Sequence, residues 1–242
     1  MRLMTYNIRK GKGASGRAPF RVSDLGQVLC ANALDLLLCQ EVFHDSRRGV
    51  AQSDELASQV GLCACYGANR VRKVAHHGNA TFTRYPVLLS ENYDVSTNLL
   101  ERRGVLYTKL QVQDRELHVF NVHLGLNHPQ RLKQVRRIAE LLAATVRPED
   151  SVILAGDFND WRRSLDSVIA GQLGFTNAFA AHRPRELRSW HARRPVFNLD
   201  RVYFRHLELH SAQRMFGSPW RDLSDHLPLM VELSLDTAAS AA

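Results

Sequence analysis

Short runs of apolar residues, many alternating with polar ones, recur along the whole chain. Alternation with a period of two is typical of a strand with one buried face, and a short continuous apolar run is typical of a strand buried on both faces. The sequence therefore predicts strands at 2–8, 34–39, 79–83, 87–93, 104–112, 116–123, 151–156, 200–205 and 227–235.

Helical spacing of apolar residues is clear in one segment and weaker in three others. Residues 130–146 follow a proline and carry apolar side chains at the spacing of one helical face: Leu132, Val135, Ile138, Leu141 and Leu142. Further helices are predicted near 21–32, 51–60 and 163–171. Because strands outnumber helices and several neighbours look hairpin-connected, the pattern favours an α/β (α+β) four-layer sandwich, with two mixed, mainly antiparallel sheets face to face and helices outside.

Length and composition predict a single domain. A chain of 242 residues with 45% hydrophobic residues can bury one sizeable core. We expect this domain to span 1–235 and the last residues, 236–242, to form a flexible tail. The N-terminus lacks the pattern of a signal peptide, and no apolar run reaches the roughly 18 residues that a membrane helix needs.

The four cysteines predict a reducing environment. Cys30, Cys39, Cys63 and Cys65 lie mostly in apolar contexts and lack the paired spacing of a zinc site, so we interpret them as structural thiols. We expect a monomeric, cytoplasmic protein.

The charge of the chain favours an anionic partner. Its formal net charge is +8, which suits nucleic acid, phospholipid headgroups or a small phosphoester. Arginines are dense in "HRPRELRSWHARRP", residues 182–195. This segment is either a solvated loop or a positive collar around a phosphate site, and the candidates for substrate contact within it are Arg188, Trp190, Arg193 and Arg194.

Polar residues that could take part in catalysis or bind a metal lie at the boundaries of six predicted strands: Asn7, Glu41, His123, Asp157 with Asn159, Asp200, and Asp225 with His226. Each of them alone has a structural interpretation as a turn residue, a helix cap or a hydrogen-bonded core histidine. Six elements that each end in a carboxylate, amide or imidazole are, however, typical of a scaffold that gathers polar groups on one rim.

The residue types in this set indicate metal-assisted hydrolysis. Glu41, Asp225 and the amide oxygen of Asn7 are hard oxygen ligands, which suit Mg²⁺ or Mn²⁺ rather than zinc. Asp157 and Asn159, on either side of Phe158, can point to the same side, where one holds a water molecule and the other a phosphate oxygen. The set lacks an activated serine or cysteine, which points to attack of water on a phosphate ester.

The two histidines supply groups for proton transfer. His123 and His226 have ordinary pKa values near neutrality, so they can exchange protons under physiological conditions. Asp200 can hold His226 in one tautomer and stabilise its charged form, as an orienting carboxylate does in a catalytic triad.

The ordered motifs "TYNI", "QEV", "GNATFTRYPV", "NVHLG", "GDFN", "SW…NLDRVYF" and "SDHLPLMVEL" resemble the endonuclease/exonuclease/phosphatase superfamily, the group of pancreatic deoxyribonuclease, exonuclease III and neutral sphingomyelinases. The resemblance runs from about residue 1 to 235. It implies the same four-layer sandwich and divalent-metal-dependent phosphoester hydrolysis.

Matching positions imply individual roles. Glu41 is the main metal carboxylate, with Asn7 and Asp225 nearby. Asp157 orients or deprotonates the attacking water, and Asn159 holds a phosphate oxygen. The Asp200/His226 pair acts on the phosphate, either as base or as transition-state stabiliser. Asn79, inside the matched "GNATFTRYPV" motif, joins the candidates for substrate contact.

Departures from the superfamily pattern bear on the substrate. His123 matches the histidine of the deoxyribonuclease and sphingomyelinase branches, whereas the abasic-site nucleases have a tyrosine there. The deoxyribonuclease branch pairs that histidine with a glutamate from a region where this chain has His76 and His77, which argues against a strict deoxyribonuclease. The substrate is predicted as nucleic acid, phospholipid or small phosphoester.

Two other functions are weighed against the hydrolase. A catalytically silent anion-binding module on the same fold is disfavoured because each matched position holds a competent residue. A DNA-binding regulator needs a helix that reads a groove, and the best predicted helix, 130–146, uses its regular apolar face for the core.

Overall fold

The computed structural model describes residues 1–17, 21–72, 74–180 and 187–236. The strands are β1 (Arg2–Asn7), β2 (Leu36–Asp45), β3 (Val50–Ala51), β4 (Cys63–Arg72), β5 (Ala75–Thr83), β6 (Val87–Asp94), β7 (Gly104–Val112), β8 (Arg115–His123), β9 (Ser151–Asp157), β10 (Thr176–Asn177), β11 (Asp200–Arg205), β12 (Leu207–Arg214) and β13 (Leu229–Leu235). The helices are α1 (Val22–Cys30), α2 (Gln52–Val60), α3 (His128–Thr145), α4 (Asp166–Gly171) and α5 (Trp220–Leu223). Of the predicted tail, all but Asp236 lies outside the described residues.

The strands form two mixed sheets. The first has the order β12-β13-β1-β2-β5-β4, with β3 paired to β2, and the second has the order β10-β11-β9-β8-β7-β6. Each sheet contains one parallel pair near its centre, β1–β2 in the first and β8–β9 in the second, and its other pairs are antiparallel. The predicted fold class, two mixed and mainly antiparallel sheets, is confirmed.

Three apolar layers hold the sheets and helices together. One lies between the first sheet and helices α1 and α2, a second between the two sheets, and a third between the second sheet and helices α3 and α4. In β9, Val152 and Leu154 belong to the helix-side layer, while Ile153 and Ala155 belong to the layer between the sheets. Both faces of the strand are thus buried, which explains its continuous apolar run.

Each predicted strand and helix is present, with shifted ends, but two long strands were missed. Strands β4 and β12 lie at the two edges of the first sheet. Most of the described residues of these two edge strands are at least partly exposed, so no buried apolar face marks them with a period-two pattern. The prediction for Leu132 was wrong, since its side chain is 40% exposed. It lies about 120° around the helix from Ile138, and Arg131 is buried in its place.

The cysteines differ from one another in exposure. Cys39 is buried, whereas Cys30 and Cys63 are exposed, so the expected apolar setting fails for these two; all four thiols are free. Among the described residues, no helix is both long enough and apolar enough to cross a membrane.

A buried network of amide side chains joins the two sheets below the predicted site. Asn121 on β8 accepts a hydrogen bond from Gln40 Nε2 at 2.8 Å and donates to the carbonyls of Cys39 and Ala80. Asn79 on β5 donates to the carbonyls of Gly104 and Asn121. Buried amides need such partners, so this network fixes how the strand ends of one sheet face those of the other.

Replacing Asn121 by alanine is expected to lower the free energy of unfolding by about 1–3 kcal/mol, because buried polar groups lose their partner. Urea unfolding followed by circular dichroism measures the change. Gln172→Ala, at an exposed amide side chain, is the control and should have little effect. Equal stability of the Asn121 variant and the wild type would show that the network does not hold the sheets.

Candidate active site

The topology brings the predicted strand ends to one edge of the sandwich. In the first sheet, Asn7 at the end of β1 is the register partner of Gln40, where the parallel pairing of β1 with β2 ends. In the second sheet, His123 and Asp200 are both register partners of Asp157. Since Asn7 Nδ2 donates to Asp157 Oδ2 at 3.0 Å, the two sets meet across the layer between the sheets.

A bulge in β2 directs Glu41 into the site. The pairing of β2 with β5 shifts register between Cys39 and Val42, and Glu41 within this bulge has a positive φ of 56°. Bulges re-aim side chains at the ends of strands, and left-handed backbone at a residue other than glycine is typical of functional sites. The Glu41 carboxylate lies 3.5 Å from Asn7 Nδ2.

Gly156 allows the close approach of β8 and β9 just before their polar ends. Its φ is +142°, and a Cβ atom there would lie 2.0 Å from the carbonyl oxygen of Val122. Only glycine fits such a position. The glycine of the "GDFN" motif is therefore needed to bring Asp157 beside His123.

Serine hydroxyls hold the segments that carry Asp200 and Asp225. Ser189 Oγ accepts from the backbone N–H groups of Leu199 and Asp200. Ser224 Oγ donates to the carbonyl of Asn7 at 2.6 Å. These bonds fasten the "SW" and "SDH" motifs to the strands of the site.

Asp225 and His226 are held in the site by contacts with different residues. Asp225 Oδ2 accepts from Trp190 Nε1 at 3.3 Å and lies 3.5 Å from Arg9 Nε. His226 points to Asp200. Adjacent residues of an extended strand point to opposite faces. Asp225 and His226 precede β13, which begins at Leu229, so this alternation does not apply to them and both side chains can face the same site.

Asp157 occupies the centre of the arrangement. Its Oδ2 atom accepts from Asn7 and lies 3.4 Å from His123 Nε2 and 3.7 Å from His226 Nε2. Burial raises the pKa of Asp157 to about 6, against the lowering effect of the His226 charge. Asp157 is thus a buried carboxylate that can take up a proton near neutral pH.

Asp200 and His226 form a close pair. His226 Nδ1 lies 2.8 Å from Asp200 Oδ2 in a buried hydrogen bond. Burial alone lowers the pKa of His226, but the charges of Asp200 and Asp157 and the hydrogen bond raise it to about 10. The imidazole is therefore protonated at neutral pH and presents an N–H group at Nε2.

His123 has an arginine as its partner. Arg103 Nη1 lies 3.3 Å from His123 Nδ1, and Arg103 Nη2 pairs with Glu101 at 2.7 Å. Arginine only donates, so His123 Nδ1 accepts and the neutral ring carries its proton on Nε2, towards Asp157. Burial, followed by the positive charges of Arg103, His226 and His77, holds the pKa of His123 well below its ordinary value.

Replacing Arg103 by glutamine is expected to raise the pKa of His123, since the largest of the nearby positive charges that lower it is removed. Nitrogen-15 NMR titration of the histidine rings measures the shift and identifies the protonated nitrogen. Arg102→Gln removes an arginine paired instead with Asp94 and should leave His123 unchanged. An equal pKa of His123 in the Arg103 variant and the wild type would contradict the assigned effect of the arginine, and a proton on Nδ1 in the wild type would contradict the assigned tautomer.

Asn159 and Asn7 are already engaged with backbone groups. Asn159 has a positive φ of 48°, and its Nδ2 donates to the carbonyl of Leu124 at 2.9 Å. The predicted ligand atom of Asn7, its Oδ1, accepts from the backbone N–H of Arg9 at 3.0 Å. Both asparagines lie in the site, and their predicted roles in holding phosphate or metal stay predictions.

The residues predicted to contact the substrate do not form one compact group, unlike the predicted catalytic residues. Asn79 is fully buried in the network between the sheets and does not face solvent. Arg193 pairs with Asp222 at 2.8 Å, and the backbone carbonyl of Arg188 accepts from Arg214. Arg194 is exposed. Of the arginine-rich segment, residues 182–186 lie outside the described part of the chain, and Trp190 contacts the site through Asp225.

Arg9, Arg103 and Trp161 also lie near the site and were not predicted. Arg9 and Arg103 contact Asp225 and His123, respectively. Trp161 packs edge-on against Trp190, with ring centroids 5.3 Å apart. The signal for Trp161 was its position two residues after Asn159 in "GDFNDW"; the arginines lie among many similar residues and gave no comparable signal.

Comparisons with known proteins identify the family of this chain. A sequence profile described as "Endonuclease/Exonuclease/phosphatase family" matches residues 4–226. The Escherichia coli (strain K12) protein called "Uncharacterized protein YbhP" is 32% identical over 245 residues, covering 97% of this chain and 96% of that protein.

Solved structures share the fold at low sequence identity. An endonuclease/exonuclease/phosphatase from Beutenbergia cavernae DSM 12333 superposes with a TM-score of 0.80 at 17% identity, covering 97% of this chain and 71% of that one. ANGEL2, a 2′,3′-cyclic phosphatase in complex with adenosine-2′,3′-vanadate, has a TM-score of 0.76 at 18% identity, covering 97% and 95%. Since the family profile spans most of the described fold and reaches from β1 to the "SDH" motif, this chain belongs to the endonuclease/exonuclease/phosphatase family.

Proposed function

We propose that this protein is a divalent-metal-dependent phosphoester hydrolase, and specifically a phosphodiesterase in which Asp157 activates the attacking water. The observation that carries the proposal is the position of Asp157 Oδ2, which lies within 3.7 Å of Asn7, His123 and His226. Members of the family are in general phosphoester hydrolases, and ANGEL2 is named as a cyclic phosphatase on the same fold.

The residues of the site fit a divalent cation. Glu41 is only partly exposed, and among the described residues no basic side chain lies within 4.0 Å of its carboxylate. A carboxylate in this setting favours a cation as its partner. Glu41 would hold the ion together with Asp225, whose carboxylate also lies 3.5 Å from Arg9 Nε. Asn7 presents its Nδ2 to Glu41 and would bind through Oδ1, which accepts from the N–H of Arg9. These hard oxygen atoms favour Mg²⁺ or Mn²⁺. When bound, the ion would supply Lewis-acid polarisation of the phosphate.

A second group of residues is also spaced like a metal site, and we assign it another role. One ligand atom each from Asp157, Asp200 and His226 lies within 4.8 Å of the others. However, His226 Nδ1 is bonded to Asp200 at 2.8 Å, and with its pKa raised to about 10 the imidazole carries a proton on Nε2, on the side of Asp157. These three residues are therefore better suited to proton transfer and charge stabilisation.

The chain's own groups then have distinct tasks. Asp157, ionised at neutral pH, accepts a proton from the attacking water at Oδ2. His226, held by Asp200 at Nδ1, donates a hydrogen bond from Nε2 to the phosphate as negative charge develops there. His123 is neutral and adds a second N–H donor. Of the two roles left open for the Asp200/His226 pair, the protonated state favours transition-state stabilisation over that of base.

The charge of the chain indicates an anionic substrate but does not distinguish between classes of phosphoester. A net charge of +8 suits nucleic acid, phospholipid headgroups and small phosphoesters alike. The cytoplasmic location, the monomeric state and the single-domain boundary at 235 stay predictions.

Hydrolysis of bis-p-nitrophenyl phosphate tests the proposal. We expect release of p-nitrophenolate with Mg²⁺ or Mn²⁺, loss of the activity with EDTA, and recovery when the metal is added back. Binding of inorganic phosphate without hydrolysis of any diester would instead support the silent anion-binding module on this fold.

A further inference from the structure

We infer that a cavity beside the candidate site binds the nucleoside next to the scissile phosphate, which rests on the proposed function and makes nucleotides its substrate class. The cavity has a volume of about 520 Å³ and is lined by His128, Arg131, Trp161, Arg162, Ser164 and Phe197. This volume is in the range of pockets that enclose a small organic ligand.

The lining segments are continuations of the segments that carry the site. Trp161 follows Asn159 by two residues, and Phe197 precedes Asp200 by three. Arg131 donates to the carbonyls of Gly125 and Leu126, directly after His123 and Leu124. The segments that line the cavity therefore continue directly from those that carry the catalytic groups, which suits it to the organic part of a phosphoester bound there.

One wall of the cavity is aromatic. Trp161 packs edge-on against Phe197, with ring centroids 4.9 Å apart, and against Trp190 at 5.3 Å. Phe197 remains 37% exposed despite this packing. Trp190 in turn donates to Asp225, so the aromatic cluster and the predicted metal-binding residues are in direct contact. Partly exposed aromatic faces in a cleft are suited to stacking on a flat ring.

The rest of the lining is basic. Arg162 is exposed, and among the described residues no carboxylate lies within 4.0 Å of its guanidinium. Arg131 lies 3.7 Å from the buried carboxylate of Asp160, which does not itself line the cavity. The described residues that line the cavity include two arginines and no carboxylate, which favours a ligand with negative charge.

His128 adds a polar group of defined orientation. Ser164 Oγ donates its one hydrogen to Asp160 Oδ1 at 2.8 Å, so His128 Nδ1 must donate to Ser164 Oγ at 3.0 Å. In the neutral ring this leaves Nε2 as an acceptor for a ligand N–H group. Nucleobases carry such donors at their edges, whereas acyl chains do not.

The aromatic and basic groups of the cavity together favour one class of phosphoester. Aromatic faces stack on bases of any sequence, and guanidinium groups bind the adjoining phosphate. A lipid chain offers no donor to His128 and no charge to the arginines, so it would gain nothing from the polar part of the lining. The cavity thus favours a nucleotide unit over a phospholipid.

Two chromogenic diesters with the same leaving group provide the test: thymidine 5′-monophosphate p-nitrophenyl ester and methyl p-nitrophenyl phosphate. We expect the wild type to prefer the thymidine ester in kcat/KM by at least about tenfold, and Trp161→Ala to reduce this preference roughly 10- to 100-fold, as expected for loss of base stacking. Trp161→Phe, which keeps an aromatic ring, should retain most of it.

Phe216→Ala is the matched control, since Phe216 is an exposed aromatic residue that stacks with Arg214 and does not line the cavity. The inference is overturned if the preference is absent in the wild type, if Trp161→Ala keeps it, if Phe216→Ala loses it equally, or if sphingomyelin or phosphatidylglycerol is hydrolysed faster than the thymidine ester.

Direct binding separates this inference from the proposed function. If the wild type hydrolyses neither ester with Mg²⁺ or Mn²⁺, the phosphodiesterase proposal fails, and calorimetry still tests the cavity. Thymidine 5′-monophosphate should then bind at least about tenfold more tightly than 2-deoxyribose 5-phosphate, and Trp161→Ala should remove the difference. Equal affinity for the two phosphates would overturn the inference.

Discussion

Asp157→Asn is expected to lower kcat for bis-p-nitrophenyl phosphate by about 1,000-fold or more, because the amide cannot accept the proton of the attacking water. Among the described residues, Asp157 Oδ2 is the carboxylate oxygen that lies within 4.0 Å of both His123 and His226. Burial raises the pKa of Asp157 to about 6, so the fold gains little from its ionised form, and the neutral amide should leave the protein folded.

Initial rates with saturating Mg²⁺ measure this effect, and thermal unfolding by circular dichroism checks the fold. Asp94→Asn is the control, because Asp94 also ends a strand of the second sheet but is exposed and pairs with Arg102. Activity of Asp157→Asn within tenfold of the wild type would remove Asp157 from the role of base.

Glu41→Gln is expected to raise the Mg²⁺ concentration that gives half-maximal hydrolysis by about tenfold to a hundredfold. The substitution keeps the shape of the side chain and removes the charge of a carboxylate whose one polar contact within 3.5 Å, among the described residues, is Asn7 Nδ2. A divalent cation binds a neutral amide oxygen more weakly than a carboxylate.

Mg²⁺ titration of hydrolysis and calorimetric binding of Mn²⁺ without substrate give two independent readings. Glu116→Gln, at a carboxylate that pairs with Lys109, should leave both unchanged. If the Glu41 variant shows the wild-type metal dependence in both experiments, another residue provides the main carboxylate.

The strand ends of the site were predictable because a change of pattern marks each of them. Asn7, His123 and Asp157 each stand where an apolar run gives way to a polar residue. This transition can be located in the sequence even when the exact ends of the strand are predicted wrongly. Their convergence depends on the sheet order, in which β1 and β2 are parallel and β8 and β9 are parallel. The residue pattern alone does not specify which strands pair, and the family resemblance supplied that information.

Residues that act from loops or through long side chains were not predictable in the same way. Arg103 reaches His123 across 20 positions of sequence, and Arg131 is buried where apolar spacing favoured Leu132. Long side chains can bury their stems and bring their charged ends to partners that no periodic pattern marks. Trp161 joins the aromatic wall only because the loop after β9 folds against the segment before β11.

In the proposed function, the strand ends of the two sheets surround one divalent ion, and Asp157 and His226 lie beside this ion, where they act on the phosphate and its attacking water. Anomalous diffraction from a crystal soaked in Mn²⁺ would locate the ion. We expect a peak at the carboxylates of Glu41 and Asp225, with His226 still bonded to Asp200. A peak bound to His226 itself, or one on a face remote from Glu41, would contradict the account.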